Sequence, residues 1–304
     1  IRDRDNAGVS LEAGQTLVLS GVALRKIADV SLEGDEVVVA TEFAALNDAI
    51  ESGTISWNHE FGTEDMDISL ATVNGKGGVY DAASSTITFK YKAFSSDSTK
   101  TFEILIKLEP GTSDTTMAKM TCQVVRKASG DPTATLTGTA HLKKMKSKAD
   151  MAYAGGELQS ASYSADETGI EIELKVAAAA AGLGDLSFKM PDIAIPLKFF
   201  VGVLPVTVKV KVTAVLKLVV PQNASATGST KMTYSGSAGF EYQETEIELK
   251  HSAASYKFGS TSVDSGASIG VPVDVQYGVA FPNIEVVLFG LPIVPVSYTH
   301  LTLP

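Results

Sequence analysis

The sequence predicts a mainly all-β fold, with long antiparallel amphipathic strands arranged as a sandwich or as a strongly curved sheet. The strongest observation is in residues 206–220, where every even position is apolar and the odd positions are mostly Thr and Lys. Such alternation is typical of a strand with one buried face. At 3.3 Å per residue the strand would extend about 50 Å. Typical strands are shorter, so we expect a large, elongated or curved sheet.

The same alternation recurs in other segments separated by Gly, Pro, Ser and Asp. Residues 87–93 and 102–108 flank a polar loop and predict a β-hairpin. The further predicted strands are residues 117–125, 134–142, 157–164, 170–176, 230–242, 247–249 and 271–281. One apolar and one polar face on each strand favours antiparallel sheets over parallel βαβ units. We therefore expect residues 76–295 to form a large antiparallel β domain, complete or truncated.

Residues 1–75 predict a small N-terminal α+β section. Residues 17–19, 27–32 and 36–40 have the character of short strands, with turns at Gly21 and at residues 33–35. A short helix is expected near residues 42–52, because Phe43, Leu46 and Ile50 recur at helical spacing. Thr41 suits its N-cap and Gly53 suits its C-terminal stop.

Composition excludes some functions. The 304 residues carry a net charge of −10 at pH 7, which argues against a sequence-independent grip on nucleic acid. The single cysteine, Cys122, lies in an every-second-residue apolar row, so we expect a buried, inert thiol.

The densest polar cluster follows the strand predicted at residues 54–57. Glu60, Glu64, Asp65 and Asp67 are candidate calcium ligands, because carboxylate oxygens suit that ion. Trp57 and His59 are candidate ligand-binding residues, since an exposed Trp could stack on a sugar. The alternative is a solvated acidic loop with Trp57 packed on the helix. No cofactor is predicted.

The sequence contains no recognisable catalytic constellation. A nucleophile elbow is approached only by residues 235–239, which alternate as a strand does. His59, His141 and His251 do not lie in triad motifs, and metalloprotease and P-loop motifs do not occur. We therefore lean against an enzyme, although a pair of carboxylates could be brought together by any fold.

Two segments resemble large, β-rich, uncharacterised bacterial exported proteins. These are residues 44–57 (AALNDAIESGTISW) and 200–208 (FVGVLPVTV). The resemblance implies a β-rich architecture and supplies no catalytic residues. Residues 200–206 and 288–294 also share an aromatic residue, a glycine and a proline, which suggests a weak internal repeat.

The two ends of the chain carry their own expectations. Residues 296–304 resemble a translated sequencing-adapter read-through of the kind found in assembled environmental (metagenomic) reads, and we exclude them as an artefactual tail. No signal peptide opens the chain at Ile1, and the sequence there resembles the middle of a longer polypeptide, so the chain is expected to be a fragment.

The leading hypothesis is a noncatalytic structural or binding β protein that is secreted, at the cell surface or in the periplasm. Its expected partners are a cell-surface polymer, a lipid or another apolar ligand. One alternative is a carrier that holds lipid in a curved sheet, which requires an apolar cavity. Another is an outer-membrane β-barrel, whose strands also alternate.

Overall fold

The structure is a computed structural model that describes residues 11–19, 23–34, 36–94, 101–128, 131–178, 184–189, 192–220, 225–243, 246–251, 255–258, 262–266, 274–288 and 291–296. Within these residues the strands form three antiparallel sheets. The predicted all-β fold is therefore confirmed. The same part of the chain holds no helix long and apolar enough to cross a membrane.

The N-terminal sheet has three strands: β1 (Thr16–Leu19), β2 (Ala23–Glu33) and β3 (Glu36–Phe43). The seven-stranded sheet comprises β5 (Thr72–Val73), β6 (Lys76–Gly77), β14 (Gly184–Lys189), β15 (Ile193–Val201), β16 (Leu204–Val220), β21 (Asp274–Leu288) and β22 (Leu291–Val296). The twelve-stranded sheet comprises β4 (Gly53–Phe61), β7 (Val79–Asp81), β8 (Thr86–Phe94), β9 (Thr101–Pro110), β10 (Thr116–Ala128), β11 (Asp131–Lys143), β12 (Met145–Ala154), β13 (Glu157–Ala178), β17 (Ser225–Gln243), β18 (Glu246–His251), β19 (Ser255–Phe258) and β20 (Ser262–Gly266).

The helix predicted near residues 42–52 is wrong. β3 continues to Phe43, which pairs with Arg25 of β2, and only a single 3₁₀ turn, Leu46–Asp48, follows. The β2 ladder holds the start of the segment extended, and Arg25 adds hydrogen bonds to the Thr41 side chain and carbonyl. The Asp48 carboxylate accepts the Ala45 N–H at 2.7 Å and closes the turn. Pairing across strands therefore overrides the local helical spacing.

Each large sheet branches at one very long strand, β13 in the twelve-stranded sheet and β16 in the seven-stranded sheet. One edge of β13 pairs with β17 over almost its full length, while the other pairs first with β12 and then with β11. The change falls at a bulge between Ala165 and Thr168, where Glu167 has a positive φ of 57°. β16 does the same, pairing with β21 on one edge and with β15 and then β14 on the other. Such bulges bend a sheet and increase its twist.

The two large sheets pack face to face around one core. Val206, Val208, Val210 and Val212 of β16 are 0–3% exposed, and they share that core with Phe61, Ile106 and Tyr163 of the other sheet. The predicted dry row of β16 is thus confirmed to residue 212. The side chains of residues 214–220 lie outside the described part of the structure.

The chain passes from one large sheet to the other at Gly78, between β6 and β7. A Cβ there would lie 2.6 Å from the Thr88 carbonyl oxygen, so only glycine fits this close approach. On the N-terminal side of this crossing, β4 pairs with β12 and β5 pairs with β15. The domain boundary near residue 75 stays a prediction.

Candidate functional site

The polar cluster predicted from sequence lies at one corner of the sandwich, where β4 approaches β15. Trp57 and His59 occupy alternate positions of β4 and face the interior. Glu60, between His59 and Phe61, faces solvent. Glu64 and Asp65 belong to the 3₁₀ turn Thr63–Asp65. Asp67 immediately precedes a second 3₁₀ turn, Ile68–Leu70. Strand alternation therefore divides the cluster before any ligand is considered.

Trp57 is a core residue. Its side chain is buried, with 8% exposure, and its Nε1–H donates a hydrogen bond to the Ser147 Oγ at 3.0 Å. The fully buried Ser147 hydroxyl lies 3.4 Å from the Tyr163 hydroxyl, and the indole meets the Phe199 ring edge to face at 5.7 Å. An exposed tryptophan that stacks on a sugar is thus wrong. The alternative, a packed Trp57, agrees better with the structure. Trp57 packs against Phe199 and Ser147, however, and not against a helix.

His59 joins the two large sheets. Its ring is stacked on Phe199 of β15, with centroids 4.4 Å apart and planes 3° apart, and it meets Phe61 edge to face at 5.0 Å. Its Nε2 lies 3.0 Å from Asp65 Oδ1. Asp65 Oδ2 accepts the Gly62 N–H at 2.9 Å. We call these residues the His59 junction, because they tie a 3₁₀ turn and one strand of each sheet together.

The four candidate calcium ligands are directed to different partners. Both oxygens of Asp65 are used within the His59 junction. Asp67 accepts from the Ser69 hydroxyl at 2.5 Å and lies 3.7 Å from the Lys198 Nζ. Glu60 stands opposite Lys146 in the β4–β12 ladder, and Glu64 is exposed. Among the described residues, no three His, Cys, Asp or Glu side chains converge as a metal site would require.

The cysteine prediction is confirmed. Cys122 is buried on the inward face of β10, and desolvation raises the pKa of its thiol to about 12. A thiol with so high a pKa carries almost no thiolate at neutral pH and is a poor nucleophile. Residues 235–239 lie inside β17, as their alternation indicated, rather than in a strand-to-helix elbow.

A second candidate site is a groove of about 590 Å³ on the outer face of β8, β9 and β10. Two rows of side chains cross the three strands in register: Lys90, Leu105 and Gln123 form one, and Lys92, Glu103 and Val125 form the other. Tyr91 and Ile104 also border it. The two lysines and Glu103 are exposed, whereas Leu105 and Val125 are half-buried. The groove therefore combines aliphatic surface from Leu105 and Val125 with two lysines and one glutamate, and Glu103 stands directly opposite Lys92.

Sequence reasoning missed this groove. Alternation shows that Lys90 and Lys92 share a face of β8, but it does not show which residues of β9 and β10 stand beside them. That neighbourhood depends on the register of two hairpins.

No family model, curated protein or solved structure matches this chain. Its function is therefore inferred from the groove, the His59 junction and the surface charges. On the seven-stranded sheet, Lys209, Lys211 and Glu285 form a half-buried ion-pair network. Lys209 Nζ lies 2.9 Å and Lys211 Nζ 2.6 Å from the Glu285 carboxylate. Burial disfavours ionisation of Glu285, but hydrogen bonds from Lys211 and Lys209 outweigh it and lower its pKa.

Proposed function

We propose that this chain is a noncatalytic structural or binding module of an exported or cell-surface bacterial protein, and that its ligand occupies the groove on β8, β9 and β10. The observation that carries the proposal is the composition of that groove. Leu105 and Val125 supply aliphatic surface, and the two exposed lysines outnumber the one carboxylate, Glu103. A concave surface with a few polar groups beside apolar area is the usual form of a binding site.

The groove suits an extended polymer that bears anionic groups. Lys90 and Lys92 are two positions apart on one strand, so their Cα atoms are separated by about 7 Å along it. The groove lies on the outer face of the sheet, so a chain bound there would not be enclosed by the core. Carboxylates or phosphates of a cell-surface polymer would meet the ammonium groups, while its apolar faces contact Leu105 and Val125.

The His59 junction supports a structural role at the first candidate site. One face of the imidazole is covered by Phe199, and its Nε2 is held by Asp65. Both groups act within the protein, where they hold β4 against β15. The pair is therefore explained by packing and hydrogen bonding, without a reacting substrate.

A lipid carrier is less well supported. Such a carrier would need the inward row of β16 to line a cavity. Instead, Val206, Val208, Val210 and Val212 are packed in the core shared by both large sheets. The described part of the row has no exposed surface to offer a lipid chain.

The proposal is tested by affinity electrophoresis and calorimetry with three polymers: polygalacturonate, polyglycerol phosphate and neutral dextran. We expect an anionic polymer to bind, with affinity falling as salt is raised. The double variant Lys90→Gln/Lys92→Gln should weaken binding by about tenfold. Lys231→Gln, which removes an exposed lysine from β17, is the matched control and should bind as the parent does.

Two results would contradict the proposal. One is the absence of binding to both anionic polymers at low salt, or an equal loss in the Lys231→Gln control. The other is measured turnover of a glycan or an ester by the purified chain, because a noncatalytic module leaves its ligand unchanged.

A further inference from the structure

β3 is an edge strand of the N-terminal sheet. Among the described residues this sheet runs β1–β2–β3, so β3 pairs with β2 on one edge only. β3 spans eight residues, EVVVATEF, and contains neither lysine nor proline, the residues that most often block pairing at an edge. By contrast β7, at one edge of the twelve-stranded sheet, has only three residues. The outer edge of β3 is therefore long enough to accept another strand.

The hairpin of β2 and β3 exposes apolar side chains. Leu32 is 77% exposed and Phe43 76%, while Val37 and Val38 are 37% and 39% exposed. β1 pairs with β2 only near its start, so within the described part of the chain residues 29–33 pair with β3 alone. A two-stranded ribbon is marginally stable in water. A strand added to β3 would supply the missing neighbour.

A second copy of the chain can supply that strand. Two copies of one edge strand that are related by a twofold axis pair antiparallel, and the axis passes between one residue and its own copy. Opposite residues then direct their N–H and C=O groups the same way, either towards the other copy or away from it, as an antiparallel ladder requires. Two such registers pair nearly all of β3, with the axis at Val39 or at Ala40.

Charge selects between the two registers. With the axis at Val39, Glu36 stands opposite Glu42 of the second copy. Like charges directly opposite each other destabilise a sheet. With the axis at Ala40, Glu42 stands opposite Val38 of the second copy, and no two carboxylates of β3 stand directly opposite each other. The register centred on Ala40 is therefore favoured.

The register centred on Ala40 also joins the exposed apolar side chains of the two copies. It places Phe43 opposite Val37 of the second copy, and Val37 stands opposite Leu32 in the β2–β3 ladder. Opposite residues point to the same side of a sheet, so the three side chains form one apolar row, which the symmetry repeats. The Arg25 guanidinium, 4.7 Å from the Phe43 ring centroid, ends each row. Pairs of an aromatic and a β-branched residue stabilise neighbouring strands.

Pairing through β3 would stop at two copies. An isologous contact uses the same edge of both copies, so neither copy keeps that edge free. The joined sheet would have the order β1–β2–β3–β3–β2–β1. Its outer strands are the two copies of β1, which has only four residues, and very short edge strands resist further pairing.

We propose that two copies of this chain form a dimer in which their β3 strands pair antiparallel across a twofold axis at Ala40. One strand from each copy is a small contact beside the roughly 1,200–2,000 Å² of standard interfaces, so the dimer is reversible and depends on concentration. The groove on β8–β10 belongs to another sheet. The inference therefore goes beyond the polymer proposal and does not depend on it.

Sedimentation velocity of the full chain over a series of concentrations tests the dimer. The parent should shift from monomer to dimer as concentration rises. Val37→Asp should raise the dissociation constant by about tenfold or more, because a charge replaces the apolar contact with Phe43. Val79→Asp is the matched control, since Val79 is 78% exposed on the edge strand of another sheet. It should leave the dissociation constant unchanged.

Cross-linking tests the register. Ala40→Cys places two thiols at the axis, where opposite Cα atoms are about 4.5–5.5 Å apart and can form a disulfide. Mild oxidation should give a covalent dimer. Val38→Cys, on the same face of β3, is the control, because its two copies would lie about 13 Å apart along the strands. Cys122 is buried with a pKa of about 12 and does not compete.

Three results would overturn the inference. The first is a parent chain that stays monomeric at every concentration. The second is an equal weakening of association by Val37→Asp and Val79→Asp, which would place the contact elsewhere. The third is cross-linking of Val38→Cys as readily as Ala40→Cys, because the strands would then not meet at the axis proposed.

Discussion

Replacement of Ser147 by Ala tests the buried polar contact between β12 and β4. Ser147 is fully buried and accepts the Trp57 Nε1–H at 3.0 Å. The substitution removes the acceptor and leaves the indole N–H in an apolar environment without that partner. A buried donor deprived of its acceptor costs about 1–3 kcal/mol of folding free energy. We expect Ser147→Ala to lower the free energy of unfolding by that amount.

The measurement is urea unfolding followed by fluorescence, because Trp57 is the single tryptophan of the chain and reports its own burial. A loss of 1–3 kcal/mol corresponds to a fall of roughly 0.3–1 M in the urea midpoint for a protein of this size. Ser56→Ala, on the exposed face of β4, is the matched control and should change stability by less than about 0.5 kcal/mol.

A double-mutant cycle isolates the contact itself. Trp57→Phe removes the donor, so the further loss of Ser147 should cost less in that background, with a coupling free energy of about 1 kcal/mol. Far-UV circular dichroism replaces fluorescence for the variants without tryptophan. The reasoning is refuted if the coupling is below about 0.3 kcal/mol, or if Ser147→Ala is as mild as Ser56→Ala.

Three other outcomes are expected. The two lysine partners of Glu285 hold its folded-state pKa below the unfolded value of 4.5, so its ionised carboxylate adds stability above pH 4.5. This stability is lost as the pH falls through the folded-state pKa. In urea titrations at several pH values, Glu285→Gln should reduce this loss of stability at acid pH, and an unchanged pH profile would contradict the reasoning. Cys122 should react with a disulfide reagent at about pH 8 only after unfolding, so rapid labelling of the native chain would oppose the burial argument. Leu197→Ala should lower the free energy of unfolding by about 2–5 kcal/mol, because the side chain is fully buried. Leu70 is half-exposed, so Leu70→Ala should lower it by less than about 0.5 kcal/mol. Equal losses in the two variants would contradict the proposed core.

Strand alternation accounts for the correct parts of the sequence prediction. In β16 and in the β8–β9 hairpin, apolar residues recur every second position, and the structure buries most of the described part of that row, to Val212 in β16. The period of side-chain direction in a strand is fixed by backbone geometry, so it can be recognised without knowing any neighbour. The helix near residues 42–52 failed because its signal was local, and the competing ladder with β2 joins residues about 16 positions apart.

The candidate site was only partly predictable. The sequence placed Trp57, His59 and Asp65 close along the chain, and the last two do meet at 3.0 Å. Phe199 stacks on His59 from 140 positions away, and Ser147 meets Trp57 from 90 positions away. Neither residue carries a sequence signal for that role. Both were brought there by the packing of β15 on β4 and by the pairing of β12 with β4.

The sequence alone determined that this protein is made of antiparallel amphipathic strands, that the even face of β16 is buried as far as Val212 and that Cys122 is buried. These properties follow from side-chain alternation, which each strand carries within itself. Only the tertiary structure decided that Trp57 is interior and that Lys90 and Lys92 stand beside Leu105 and Val125 in one groove. Those properties depend on register and on sheet packing, and both are set by contacts between segments far apart in the chain.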